Sequence, residues 1–399
     1  MHRIFLVLIA LVLLLPTLSI PLRDEGPISQ FFNKRLAAFP QTSLLITNPK
    51  SYFLDLQSWF NDRVGFNTAS VALYRKFHFH ILDQSSYNYI SKRGNFIFYH
   101  GTKEKPFRFI VADCPEKYNS HSDYYTIERI YKRISKSLEK YSARFRVVII
   151  PTKTMIFANH LPRRIPKYLQ LRCSAQISDK DFRKHLSETL DHTDVFYPID
   201  IFREKRNDET FYPSFSYHLH GSGARFIAEA YFKHYGIQYS KSGHKFKRKT
   251  IRTDLVFLKG YNLEHETEVH DYSPLLTLNP KKDEYTQTLF ELIKYSPKVE
   301  DYMYITNRTL KNGRRALLLS NSFGKPVRKH LALGYENLMH VNIAQFYNRS
   351  DGNRHQKTVT LLRNLMKNFK FTDIILLHQS SDLYTLSKSL EDAFTDGDI

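Results

Sequence analysis

A serine lies in a polar turn that follows a short apolar run near residue 320. Residues 316–319 are apolar, and the run stops at Ser320-Asn321-Ser322-Phe323-Gly324, after which residues 325–332 have helix-compatible spacing. This pattern predicts a buried strand, a tight turn and a helix. Because open α/β sheets bind their ligands at the carboxyl ends of strands, Ser322 is a candidate nucleophile. An ordinary polar turn that closes a βα unit is the alternative.

A histidine further upstream could serve as the base that such a serine needs. His218 lies in a polar stretch directly before residues 225–235, whose apolar spacing predicts a helix. Removing a proton from a serine hydroxyl requires a group that titrates near neutrality, and histidine is the usual one. The alternative role of His218 is capping or packing of the helix. His220 also suggests zinc, but two ligands do not make a site and the spacing marks no third, so we expect neither metal nor cofactor.

The chain is strongly basic. Its 399 residues carry a formal net charge of +20, with a sequence pI near 9.6. Hydrophobic content of 42% and charged content of 25% are ordinary for a globular protein. The charge therefore indicates anionic surroundings or partners, such as nucleic acid, an anionic membrane surface or an acidic polymer.

The N-terminal residues narrow this choice. Residues 4–15 are an unbroken apolar run, which extends to Leu22 when Pro16, Thr17 and Ser19 are tolerated. About 20 residues are needed to span a membrane, so this segment predicts an export signal or a signal anchor. A small-x-small cleavage site is not evident before Arg23, which favours an uncleaved anchor over cleavage and release. Export makes nucleic acid an unsuitable partner.

Two cysteines, Cys114 and Cys173, are present. In an oxidising compartment they could form a disulfide, and as free buried thiols they would be equally ordinary. The sequence leaves both options open.

The rest of the chain alternates between predicted strands and predicted helices, which favours a doubly wound α/β sheet with flanking helices. Predicted strands are 96–99, 146–150, 195–199 (ending at Asp200), 316–319, 338–343 and 373–377, and predicted helices are 127–141, 182–190, 225–235, 287–293 and 357–369. Residues 241–252 are predicted to be a basic, solvated loop. The predicted organisation is an anchor (1–22), a connector with two helices broken near Gly65 (23–90) and an α/β domain (91–399).

Six segments, in this order, resemble motifs of one family. The resemblance is to the AlgJ/AlgX group of alginate O-acetyltransferases, SGNH-hydrolase-like proteins that acetylate exopolysaccharides. The segments are 33–40 (NKRLAAFP), 60–66 (FNDRVGF), 92–99 (KRGNFIFY), 151–153 (PTK), 216–224 (SYHLHGSGA) and 320–324 (SNSFG). The segments are spread over nearly the whole chain, and their order is more specific than any one motif.

The resemblance implies roles for particular residues. The family's nucleophile falls on Ser322 and its base on His218. Its triad Asp falls on Ser216, which cannot act as a carboxylate, and Asp208 and Glu209 are the nearest upstream carboxylates. The chain also departs from the family pattern at Asn321, where the family has Asp, and at Leu219, where it has Trp.

The resemblance also implies an activity and a location. It implies an SGNH-hydrolase-like domain, anchored on the periplasmic side of the inner membrane, that transfers acetyl groups to a polysaccharide, with an anionic polymer among the candidates. A multi-spanning membrane acyltransferase would be the partner that supplies the acyl group. Two other functions stay open: a carbohydrate esterase that uses water as acceptor, and a catalytically impaired homologue that binds polysaccharide or acts as a scaffold.

Overall fold

Strands and helices alternate along the chain in the computed structural model of the protein. The structure describes residues 28–29, 34–63, 73–74, 76–79, 81, 90–93, 96–114, 121–174, 194–206, 211–240, 245–255, 263–278, 302–343, 352–379, 390–391 and 394. The strands are β1 (Ile28–Ser29), β2 (Lys34–Arg35), β3 (Ile90–Arg93), β4 (Phe96–Tyr99), β5 (Arg144–Ile150), β6 (Asp194–Phe196), β7 (Lys245–Arg252), β8 (Glu264–Asp271), β9 (Leu276–Leu278), β10 (Tyr302–Asn307), β11 (Arg315–Ser320), β12 (Asn337–Asn342) and β13 (Asp373–Gln379).

Each of the α-helices lies between two of these strands in the sequence. They are α1 (Leu44–Thr47), α2 (Pro49–Arg63), α3 (Arg108–Asp113), α4 (His121–Glu139), α5 (Lys153–Ile156), α6 (Lys167–Ser174), α7 (Ile199–Lys205), α8 (Gly221–Tyr235), α9 (Gly324–Leu331) and α10 (Gly352–Asn368). The chain divides into two compact units, one formed by Met1–Asn88 with Arg252–Glu264 and the other by Tyr89–Ile251 with His265–Ile399.

A seven-stranded mixed sheet is the centre of the second unit. Its order is β6-β5-β13-β11-β12-β10-β9. The first five strands of this order are parallel, whereas β10 and β9 pair antiparallel at one side. Every residue of β13 is buried, as are all of β5 after Arg144 and all of β11 after Arg315. Near-continuous apolar runs of this kind are typical of parallel strands that are covered on both faces.

The parallel arrangement explains where the polar residues of interest meet. Pairing of Ser320 with Leu377, and of Gln379 with Ile150, aligns the carboxyl ends of β11, β13 and β5. Chain segments that leave these ends therefore lie at one edge of the sheet, where Ser322 and Lys153 follow directly.

A disulfide joins two helices on the flank of the sheet. Cys114, which directly follows α3, pairs with Cys173 of α6, and their Cα atoms lie 5.0 Å apart. The sequence left this pairing open, and the structure shows it.

In the first unit, two of the family-like segments contact each other. The backbone N–H of Ala37 donates to Asp62 Oδ2 at 2.8 Å, and Arg63 donates to the carbonyl of Ala37. Phe39 packs edge-on against Trp59, with ring centroids 5.0 Å apart. Within the described residues, no helix is both long and apolar enough to cross a membrane. The predicted anchor at residues 1–22 lies outside the described residues.

Most predicted elements are present, with shifted bounds, and two differ in kind. Val195–Ile199 was predicted as one strand, but β6 ends at Phe196 because Pro198 has no backbone N–H to pair, and Asp200 lies in the first turn of α7. The basic segment 241–252 is not a loop over its whole length, because Lys245–Arg252 pairs with β8 as a strand whose side chains are largely exposed. The predicted helices at 182–190 and 287–293 lie outside the described residues.

Candidate active site

His218 and Ser322 are in hydrogen-bonding contact. Nε2 of His218 lies 2.8 Å from Oγ of Ser322, although the residues are 104 positions apart in the sequence. Ser322 is exposed in the turn between β11 and α9, and His218 is half-buried in the loop that leads into α8. The structure thus brings together the two residues that the sequence predicted as nucleophile and base.

The turn that carries Ser322 is held by the residue before it. Oδ1 of Asn321 accepts a hydrogen bond from the backbone N–H of Phe323 at 3.0 Å. The carbonyl of Asn321 accepts the N–H of Gly324, also at 3.0 Å. An amide oxygen accepts such a bond as a carboxylate oxygen would, so Asn321 serves this structural purpose without a negative charge.

The loop that carries His218 is held by a buried lysine. Lys153, at the start of α5, donates from Nζ to the carbonyls of Pro213, Ser214 and Ser216 at 3.0, 2.7 and 3.2 Å. These three acceptors match the three N–H donors of an ammonium group. The lysine side chain is 5% exposed, so its charge is solvated by backbone carbonyls instead of water. Lys153 therefore sets the path of the chain just before His218.

Aromatic rings flank the imidazole of His218. The ring of Phe323 lies 4.7 Å and that of Tyr217 5.1 Å from the histidine ring, centroid to centroid. The hydroxyl of Tyr217 donates to Oε1 of Gln379, at the end of β13, at 2.8 Å. Leu219, where the family pattern has Trp, is fully buried in the hydrophobic core. The rings of Tyr217 and Phe323 also lie 5.5 Å from each other, so the three rings form one cluster that restricts the orientation of His218.

Ser216 lies two residues before His218 and is 1% exposed. Its carbonyl accepts from Lys153, and its Oγ lies 3.4 Å from Nε2 of His265 on β8. The residue that aligns with the triad Asp of the resembled motif thus has the imidazole of His265 beside its hydroxyl. The alternative carboxylates, Asp208 and Glu209, lie outside the described residues.

Sequence reasoning missed three residues that shape this site. Gln379 lies two positions after the predicted strand 373–377. The observed strand extends to Gln379, which places this residue at the edge of the sheet from which Ser322 follows. Lys153 was noted only as part of a motif, without its contacts to the His218 loop. His265 could not be identified from the sequence, because nearly all residues of its strand are polar. It lies near Ser216, 49 positions away in sequence, only in the folded chain.

Metal ligation has no support within the described part of the chain. There, no group of three or more His, Cys, Asp or Glu side chains is arranged to hold a metal ion. His220 and His265 lie with their rings 6.1 Å apart. The contact between His218 and Ser322 provides a serine hydroxyl with an imidazole base, which can form and break an ester.

Comparisons with known proteins give structural neighbours only. No protein-family model and no curated protein matches the chain. Among solved structures, it is similar to PatB1 of Bacillus cereus, with a TM-score of 0.47 and 13% identity over 74% of this chain and 96% of that one. It is also similar to the O-acetyltransferase domain of AlgJ from Pseudomonas putida, with a TM-score of 0.43 and 10% identity over 69% and 88% of the two chains.

A third similar structure is AlgX of Pseudomonas aeruginosa, with a TM-score of 0.39 and 9% identity over 80% of this chain and 70% of that one. AlgJ and AlgX, the group that the sequence motifs resemble, are thus among the structures similar to this chain. Identities and TM-scores this low carry no argument about activity.

Proposed function

We propose that this protein is an O-acetyltransferase of SGNH-hydrolase-like fold that acts on an extracytoplasmic polysaccharide through an acyl-serine intermediate. The observation that carries the proposal is the 2.8 Å contact between His218 Nε2 and Ser322 Oγ. A nucleophilic hydroxyl within hydrogen-bonding reach of an imidazole is the minimal arrangement for acyl transfer by serine. Acetyl as the acyl group and a polysaccharide as the acceptor are proposed because the ordered sequence motifs resemble those of polysaccharide O-acetyltransferases.

In the first half-reaction, Ser322 takes the acyl group from the donor. Its Oγ attacks the acyl carbonyl carbon while its proton moves to Nε2 of His218. The tetrahedral intermediate then collapses, the bond from the carbonyl carbon to the donor's leaving group breaks, and His218 returns the proton to that group. The backbone N–H of Ser322 itself would stabilise the developing oxyanion, since the N–H groups of Phe323 and Gly324 already donate to Asn321.

In the second half-reaction, a sugar hydroxyl takes the acyl group from Ser322. His218 removes the proton of that hydroxyl as its oxygen attacks the acyl-serine carbonyl. When the intermediate collapses, the Ser322 Oγ leaves and regains its proton from His218. A carbohydrate esterase would use water in place of the sugar hydroxyl, and the same two side chains would perform every proton transfer.

Loss of the triad carboxylate has a defined cost. Removing the charge of the triad Asp in serine proteases lowers kcat by about 10⁴, which corresponds to roughly 5–6 kcal/mol. Ser216, at the corresponding sequence position, has its hydroxyl beside His265 and supplies no negative charge to His218. We therefore propose an enzyme that is slow, or one in which a carboxylate from elsewhere in the chain serves His218.

The cellular setting is part of the same proposal. Residues 1–22 would anchor the chain so that the remaining residues lie on the periplasmic side of the membrane. A multi-spanning membrane acyltransferase would deliver the acyl group from inside the cell. The net charge of +20 suits an anionic acceptor polymer or an anionic lipid surface.

The test is covalent labelling of the full-length protein in detergent. After incubation with p-nitrophenyl acetate, intact mass measurement should show one added acetyl group on the wild-type chain. Ser322→Ala should remove this group, and His218→Ala should slow its appearance. Ser174→Ala, at an exposed serine on α6, is the matched control and should label as the wild type does. Labelling that persists in Ser322→Ala would overturn the proposal.

A scaffold or polysaccharide-binding role is the second candidate, favoured by the absence of a carboxylate at Ser216. It predicts that Ser322→Ala leaves polymer acetylation in cells unchanged. It also predicts that wild-type protein forms no acetyl adduct. The retention of both Ser322 and His218 in contact is the observation against it.

A further inference from the structure

A second histidine lies beneath the nucleophile turn and takes no part in the proposed proton transfers. His340 is on β12, where it pairs in register with Leu318 of the neighbouring strand β11. Its side chain is fully buried. Its Nε2 lies 2.8 Å from Oγ of Ser320, the last residue of β11 and two positions before Ser322.

The hydrogen bonds of His340 define its tautomer. Nη1 of Arg328, on α9, lies 3.1 Å from Nδ1 of His340. Arginine can only donate, so Nδ1 must be the acceptor and Nε2 must carry the proton. Burial, with the nearby charges of Arg328 and Lys325, holds the pKa of His340 well below its usual value of 6.5. The imidazole is therefore neutral at physiological pH, and it donates from Nε2 to Ser320.

Ser320 passes this hydrogen bond on to the turn. Its hydroxyl donates to the carbonyl of Asn321 at 2.8 Å. The same carbonyl accepts the backbone N–H of Gly324 at 3.0 Å, which closes the turn around Ser322. Arg328, His340, Ser320 and Asn321 thus form one chain of hydrogen bonds with a single direction.

The tight approach at Gly324 shows how closely this chain is packed against the turn. A Cβ atom at position 324 would lie 1.9 Å from Oγ of Ser320 and 3.0 Å from Nε2 of His340. Only glycine leaves room for the Ser320–His340 pair at this point. The pair and the glycine therefore constrain each other, and both border the residue that carries the nucleophile.

We propose that His340 is a positioning residue for Ser322, acting through Ser320 and the carbonyl of Asn321. It orients the turn so that Oγ of Ser322 points at Nε2 of His218. This inference rests on the proposed function, because it concerns the rate of acyl-serine formation. It assigns a role in catalysis to a histidine that touches neither the acyl donor nor the acceptor.

Two substitutions at position 340 separate positioning from packing. Glutamine can reproduce both bonds, because its amide nitrogen can donate to Ser320 while its oxygen accepts from Arg328. Methionine has a similar size, but it has no N–H to donate to Ser320 and its sulfur is only a weak acceptor for Arg328. We expect His340→Met to lower the rate constant for acylation of Ser322 by about 10- to 100-fold, the range for misplaced reacting groups. We expect His340→Gln to stay within about threefold of the wild type, with KM similar in both variants.

The measurement is the acylation burst with p-nitrophenyl acetate, expressed per active site titrated. A purely structural role would lower the fraction of folded sites and leave the rate per titrated site unchanged. Equal rates per site for His340→Met and wild type would overturn the proposal, as would an equal loss in His340→Gln and His340→Met. If His340→Met does not fold, Ser320→Ala breaks the same chain one residue later, and an unchanged rate in that variant would overturn it.

The result also separates this inference from the proposed function. If the wild-type protein forms no acyl-serine, both ideas fail together. If it forms one and the variants acylate at the wild-type rate, only the positioning role of His340 fails.

Discussion

Oγ of Ser216 lies 3.4 Å from Nε2 of His265, at the position where the related motif has a carboxylate. Ser216 is almost fully buried, and its carbonyl is bound by the ammonium group of Lys153. This chain therefore combines a Ser322–His218 contact with a serine, in place of a carboxylate, two residues before the histidine. Its chemistry should be limited by how well the imidazolium of His218 is stabilised.

Restoring the carboxylate should raise the rate. In Ser216→Asp, a negative charge two residues before His218 would stabilise the imidazolium that forms when Ser322 loses its proton. We expect acyl-serine formation to accelerate by about tenfold or more, within the limit of about 10⁴ that triad variants set. The measurement is the pre-steady-state acylation burst with an activated acetyl ester.

Ser216→Asn is the matched control for this substitution, because asparagine has the same shape as aspartate and no charge. It should not accelerate acylation. An unchanged or lower rate in Ser216→Asp would mean that another carboxylate already serves His218, or that the residue at position 216 does not face its imidazole. Repulsion between the new carboxylate at position 216 and a carboxylate that already serves His218 would explain a lower rate.

Removing the ammonium group of Lys153 should loosen the loop that carries His218. Lys153→Met leaves the carbonyls of Pro213, Ser214 and Ser216 without their donor. Each buried polar group that loses its partner costs about 1–3 kcal/mol; the carbonyl of Ser214 keeps a bond from Ile97 and that of Pro213 keeps one from Ser216, so we expect a loss of about 1–3 kcal/mol. Urea denaturation measures this loss, and acylation per folded molecule should also slow.

Lys167→Met is the control for this prediction. Lys167 is exposed on α6, so its replacement should change the free energy of unfolding by about 0.5 kcal/mol or less. A similar effect of the two substitutions would show that the contacts of Lys153 do not stabilise the loop.

The sequence predicted the central strands well for a physical reason. Strands β5, β11 and β13 are buried along nearly their whole length, so their apolar runs are unbroken and stop at polar turns. Strand β7 was missed because its side chains are exposed and basic, which resembles a solvated loop. Its regular structure depends on pairing with β8, and no local pattern indicates that partner.

The candidate site shows the same division. Ser322 and His218 were identified because each lies in a distinctive polar turn beside a periodic apolar segment. Lys153, Gln379 and His265 contribute through contacts between residues that are far apart in sequence. A lysine that binds three carbonyls of a distant loop has no local signature, since its acceptors are backbone atoms that every residue carries.

Two buried histidines should make the protein less stable in mild acid. Burial lowers the pKa of His100 from 6.5 to about 4, with the charge of Arg164 also lowering it and a hydrogen bond to the carbonyl of Pro106 opposing the shift. The pKa of His340 is also lowered, chiefly by burial. Below pH 6.5 the unfolded chain takes up these protons and the folded chain does not, so the free energy of unfolding falls as the pH falls towards the folded pKa.

His100→Gln isolates one of these contributions. Between pH 6.5 and 5, His100 should account for a loss of about 2 kcal/mol, at 1.36 kcal/mol per pH unit. The loss measured by urea denaturation over this range should therefore be smaller by about that amount in His100→Gln. The same loss in wild type and variant would contradict the assignment.

A buried ionic network lies at the amino ends of β5 and β13. Asp373, which is fully buried, lies 3.1 Å from both Arg146 and Arg314 and accepts a hydrogen bond from Thr372. Arg146 is itself only 3% exposed and donates to the hydroxyl of Tyr231. The guanidinium of Arg146 thus depends on Asp373 for its counter-charge.

Asp373→Asn should therefore destabilise the fold strongly, because it keeps the shape of the side chain and leaves Arg146 buried without a compensating charge. Breaking a buried pair from one side costs about 3–5 kcal/mol, whereas Glu128→Gln, which breaks the partly exposed pair with Lys132, should cost about 1 kcal/mol or less. Urea denaturation of both variants measures the difference. In an Arg146→Met background the same Asp373 substitution should cost less, because the buried guanidinium that would lose its counter-charge is no longer present. Equal costs in the two backgrounds would show that Asp373 stabilises the fold through its other partners instead.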